Sequence, residues 1–124
     1  MQHSVIIASA DTQYHAALLQ AVKEIPFRVV QCYSLVQLEE RIPEGAVSAV
    51  ILDLDTLPVD NKFLKNLKKK YRDLFVLAVS KKTFHPELKE SISSYIYACL
   101  AKPVDPEELT FWLRSIHKDK PMSA

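Results

Sequence analysis

The run AVILDLD (residues 49–55) passes from four apolar residues into a carboxylate, a Leu and a second carboxylate, Asp53 and Asp55. Two further runs end in the same manner: SVIIASAD (4–11) on Asp11, and YACLAKP (97–103) on Lys102 before Pro103. A fourth, FVLAVS (75–80), stops at Ser80 and is followed by Lys81 and Lys82. Carboxylates serve as nucleophiles or cation ligands, an ammonium neutralises a neighbouring anion, and a hydroxyl donates a directed hydrogen bond. Buried-looking strands that end on these groups, rather than on Gly or Asn turn formers, predict one site at one edge of one sheet.

The elements needed to position them follow from hydrophobic period. Continuous apolar runs at 4–9, 27–32, 47–52, 74–79 and 95–100 read as strands. Helical spacing fills 12–24, 34–42, 61–71, 86–94 and 105–117. Asp11 or Thr12, Ser34 and Asp105 are placed to cap helix starts, Pro43 to end a helix, and Pro106 to open the last one. Short apolar strands alternating with helices predict an α/β protein: a five-stranded parallel sheet covered on both faces. In such sheets ligands gather beyond the carboxyl ends of the strands, where Asp11, Asp53, Ser80 and Lys102 fall.

Composition narrows the function classes. The 124 residues suit one domain, 48% are hydrophobic and the formal net charge is +1, so no global field recruits nucleic acid. No stretch nears the roughly 20 apolar residues of a membrane span, and the N-terminus has no signal-peptide pattern. The single glycine, Gly45, excludes a glycine-rich phosphate loop. His3, His15, His85 and His117 share no metal-ligand spacing, and Cys32 and Cys99 read as two reduced core thiols. The lysine run KNLKKKYR (65–72) carries Leu67 and Tyr71 at core spacing and reads as a solvated helix face.

Taken together, the chain resembles the receiver (CheY-like) domain of two-component response regulators over residues 4–117. The resemblance rests on Asp53 at the end of the third strand, Ser80 at the end of the fourth, and the Lys-Pro-x-x-Pro-x-x-Leu pattern from Lys102 to Leu109. It implies a three-layer flavodoxin-like fold with strand order 2-1-3-4-5, spanning 1–118, and a flexible tail or linker over 119–124. It also implies that Asp53 accepts a phosphoryl group from a histidine kinase or phosphotransfer protein, with Lys102 as counter-ion, Ser80 as switch hydroxyl and Pro103 after a cis peptide bond. Such a domain is a bacterial, cytoplasmic phosphoacceptor rather than an enzyme. It relays its state to an output domain or partner protein through the fourth-helix, fifth-strand, fifth-helix face, binding neither nucleic acid nor membrane.

The departures are specific. The acidic pair that holds Mg²⁺ in the family is replaced by Ser9 and Ala10, leaving Asp11, Asp53 and Asp55 as the acids near the site. Magnesium wants several oxygen ligands in near-octahedral geometry; Asp11, Asp53 and Asp55 are the candidate ligands for it here, a set shorter than the family's. Lys81 and Lys82 stand where a small residue leaves room for the phosphoryl group, and so gate access. Cys99 stands at the aromatic switch position. The alternative reading is a phosphorylation-independent pseudo-receiver acting as a protein–protein interaction module. A flavodoxin-like cofactor site is disfavoured, because phosphate-binding loops are lacking.

Overall fold

A computed structural model describes residues 4–23, 25, 27–82 and 85–119, with the backbone alone at 117–119. Among these residues five strands alternate with five α-helices. The strands are β1 (Ser4–Ala8), β2 (Arg28–Cys32), β3 (Val47–Asp53), β4 (Phe75–Ser80) and β5 (Ala98–Ala101). The helices are α1 (Thr12–Val22), α2 (Leu35–Arg41), α3 (Asn61–Lys70), α4 (Lys89–Ser94) and α5 (Pro106–Asp119). All four ladders are parallel and the sheet order is β2-β1-β3-β4-β5. This is the predicted architecture and strand order.

Side-chain alternation along the strands divides the core in two. Ile6, Ala8, Val50, Leu52, Val76 and Ala78 pack with Leu38, Leu64, Leu67 and Leu88 on one face. Val5, Ile7, Ala49, Ile51, Leu77 and Val79 pack with Leu18, Val22, Leu109, Leu113 and Ile116 on the other. Burying each large aliphatic side chain contributes about 1.5–3 kcal/mol. With apolar faces covered on both sides, the polar strand ends are left gathered at one edge.

Caps fix where the helices begin. The Asp11 carboxylate accepts from the amides of Gln13 (2.9 Å) and Tyr14 (3.3 Å). Ser34 accepts from Gln37 N–H and Asp60 from Phe63 N–H. Between α3 and α4, the Asn61 amide donates to the Glu87 carbonyl at 2.7 Å and accepts from the Ser91 hydroxyl, tying the helices together.

Several expected boundaries move. The first helix ends at Val22 rather than 24, and residue 24 lies outside the described residues. The helix predicted over 34–42 ends at Arg41, and a 3-10 turn at Ile42–Glu44 carries Pro43 in its first positions, where a missing N–H costs nothing. Residues 86–94 split into a 3-10 turn at Pro86–Leu88 and α4. The strand predicted over 95–100 is Ala98–Ala101: Tyr95 and Ile96 both donate their amides to the Ser91 carbonyl and close α4. Cys32 is fully buried as expected, but Cys99 is exposed, because it lies on the shortest edge strand. His3, the His117 side chain and residues 120–124 of the expected tail lie outside the described residues.

Candidate functional site

Asp53 closes β3 with its side chain fully buried. Such a carboxylate is tolerable only when paired and hydrogen-bonded, and here both oxygens are engaged. Oδ1 accepts from Lys102 Nζ at 2.7 Å and from the Asp55 amide at 3.1 Å. Oδ2 accepts from the Ser9 hydroxyl at 2.7 Å and the Thr56 hydroxyl at 3.0 Å. The pair with Lys102 is charge-assisted and nearly dry, the lysine side chain being 9% exposed.

Lys102 reaches this position from the end of β5, where its amide donates to the Ser80 carbonyl and its peptide bond to Pro103 is cis. Its ammonium sits 3.1 Å from Asp55 Oδ2 as well, bridging two carboxylates. On its other side lies the Tyr14 ring, with Nζ 4.1 Å from the centroid, a cation–π contact from the first turn of α1. Burial, then the negative Asp53 and Asp55, push the Tyr14 phenol well above its ordinary range, and its hydroxyl has no hydrogen-bond partner among the described residues.

Asp55 stands over this pair. Its Oδ1 accepts from the Ser80 hydroxyl at 2.9 Å and its Oδ2 from the Lys81 amide at 2.9 Å. Burial raises the Asp55 carboxyl, but the bonds from Lys81, Ser80 and Lys102 outweigh it and hold the group below the usual Asp value.

Three hydroxyls share one pattern. Ser9 Oγ accepts from Asp11 N–H, Thr56 Oγ1 from Ala10 N–H and Ser80 Oγ from Lys82 N–H, at 3.0–3.1 Å. With a main-chain donor on each oxygen, every hydroxyl proton points to a carboxylate. Beneath them His15, buried on α1, sends Nε2 to the carbonyls of Ser9 (2.8 Å) and Cys32 (3.0 Å), pinning the β1 end. Both partners are acceptors, so Nε2 carries a proton.

The expected residues therefore separate. Asp53, Ser80, Lys102 and Asp55 form one cluster. Asp11 does not join it, since its carboxylate caps α1. Lys81 and Lys82 contribute main-chain N–H groups while both residues are exposed, and Cys99 lines a crevice beside Ser80 with Leu54, His85 and Ile92. Thr56, Tyr14 and His15 were not singled out by the sequence. Their signals were weak: Thr56 falls three residues after Asp53, and Tyr14 and His15 follow the Asp11 cap by three and four.

The donor set does not fit Mg²⁺. Among the described residues no group of three or more His, Cys, Asp or Glu converges as metal ligands. Ser9 brings a proton, not a negative charge, to the Asp53 oxygen a metal would need.

No protein-family model and no curated protein matches the chain. Solved structures do. The signal receiver domain of an HD domain-containing protein from Pseudomonas fluorescens Pf-5 superposes with a TM-score of 0.84 at 18% identity, covering 95% of this chain and 96% of that one. A CheY-like receiver domain from Methanospirillum hungatei JF-1 gives 0.78 at 15% identity over 96% and 99%. The isolated receiver domain of RcsB from Salmonella enterica serovar Typhimurium, solved with phosphomimetic beryllofluoride, gives 0.80 at 19% identity over 97% and 91%. The chain has the fold of response-regulator receiver domains.

Proposed function

We propose that this chain is a receiver-type signalling module that works by holding a protein partner, without needing to accept a phosphoryl group. One observation carries the reading: both oxygens of Asp53, and the donors around Asp55, are satisfied by the chain's own groups. A carboxylate with both oxygens bonded and fully buried presents no free lone pair to an incoming phosphorus. With two carboxylates against one ammonium, the cluster also carries a net negative charge that repels a phosphodonor. Binding rather than turnover is then the activity. The partner surface proposed is the exposed side of α5, where rings of Phe75 at the start of β4, Tyr97 before β5, and Trp112 and Phe111 of α5 step edge-to-face and Phe111, beside Gln20 and Ala21 of α1, remains 62% exposed.

A second reading has its own support. Lys102 at 2.7 Å from Asp53, with the Ser80 hydroxyl one carboxylate away, is the set a phosphoacceptor from a histidine kinase needs. Incubation with acetyl phosphate, followed by intact mass measurement, separates the two. The wild type is expected to gain no mass. A gain of one phosphoryl group in the wild type that Asp53→Asn abolishes overturns the first reading in favour of the second.

A further inference from the structure

The second and third helices present opposite charges on the same side of the sheet. Both pack into one half of the core, α2 through Leu38 and α3 through Leu64 and Leu67. On the side of α2 turned away from Leu38, the exposed Val36 (67%) is followed three and four residues on by the exposed Glu39 and Glu40. On α3, opposite its buried leucines, the exposed Lys62, Lys65 and Lys69 recur at the i, i+3, i+7 spacing of a single stripe. The segment 61–72 holds six cations and no acid. Neither the two glutamates nor these three lysines take an ion-pair partner among the described residues, and no ion pair there joins α2 to α3. Like charges one helical turn apart, as Lys65 and Lys69 are, weaken a helix standing alone. An opposite row laid against them removes that penalty.

The chain itself supplies such a row. Each helix returns the chain between parallel strands, so α2 and α3 run in the same direction. α2 lies over β1 and β2, and α3 links β3 to β4 beside it. A two-fold axis directed along the helices then sets α2 of each copy on α3 of the other, with acids against lysines in both seams. We propose that a second copy of this chain docks here, forming a symmetric, salt-sensitive dimer through α2 and α3. In it the lysine stems cover the Val36 methyls while their ammoniums reach Glu39 and Glu40. A nucleic acid is a poorer occupant, because the face that offers it lysines sets acids beside them. The surface lies across the sheet from α5, so the dimer goes beyond the partner contact proposed above and leaves that contact open.

Sedimentation equilibrium of the full chain up to about 1 mM, with reductant present because Cys99 is exposed, detects pairing as weak as a millimolar Kd. The wild type is expected to dimerise. Its Kd should rise about tenfold or more between about 0.1 M and 1 M salt, as the screening length shrinks from about 10 Å to about 3 Å. Lys65→Glu with Lys69→Glu makes the whole face acidic, and Glu39→Lys with Glu40→Lys makes it basic. Each double variant should lose self-association by about tenfold or more, since both seams then oppose like charges. Mixed in equal amounts, the two variants should pair with each other at close to wild-type affinity, because opposite rows meet again in both seams. That rescue requires both variants to be folded, so it separates lost contacts from lost structure. A wild type that stays monomeric at low salt, a dimer that survives both reversals, or a mixture that fails to pair overturns the inference.

Discussion

At the scale of single residues, Lys102 holds the site together, because it balances two carboxylates, one of them with no solvent access. Lys102→Met should lower stability in urea by about 3–5 kcal/mol at neutral pH, the cost of stranding a buried charge. In the wild type, Asp55 is held below its ordinary value, so its contribution is complete above the unfolded Asp value of about 3.9 and is lost as pH drops through the lower folded value. Urea titrations of the wild type across that range check the sign. Tyr14 makes the converse case: its ring contacts Lys102 but its hydroxyl finds no partner among the described residues, so Tyr14→Phe should be neutral or stabilising by up to about 1 kcal/mol in thermal melts. Asp53, Ser80 and Lys102 were legible in the sequence because each is a charged or hydroxyl residue at the end of an apolar run. The pairings of Ser9 and Thr56 with Asp53, and the donors around Asp55, were not. Ser9 lies 44 residues from Asp53, and which hydroxyl meets which carboxylate oxygen depends on the sheet that brings the strand ends together.

At the scale of elements, the loops after the strands are set by caps and clamps rather than by the apolar runs themselves. Asp11 spends its carboxylate on two amides of α1. Asp11→Ala should therefore cost about 1 kcal/mol of thermal stability while leaving the Lys81 and Lys82 amide signals in place. If those signals moved, Asp11 would belong to the cluster after all. The same distinction explains which boundaries could be read. Helices opened by Ser34 and Asp105 started close to where capping chemistry puts them, because the signal is local. The fifth strand began three residues late, because SYIY is equally apolar whether it ends a helix or starts a strand. Only the Ser91 carbonyl, accepting from both Tyr95 and Ile96, decides it.

At the scale of the whole molecule, strict alternation of strand and helix was enough to predict a parallel sheet and the edge where the polar ends meet, while the strand order came from the family resemblance. What alternation could not show is which edge-strand residues face outward. Cys32 and Cys99 looked equivalent, yet one is sealed in the core and the other exposed. Under native conditions a thiol reagent should label Cys99, with Cys32 reacting only as the fold opens globally, so the two rates should diverge as denaturant is removed. The grip on Asp55 has a dynamic consequence: because Ser80 and Lys81 hold it while Lys102 holds it and Asp53 together, the ends of β3, β4 and β5 are fastened to one another, and their amides should exchange with solvent as one unit rather than one by one.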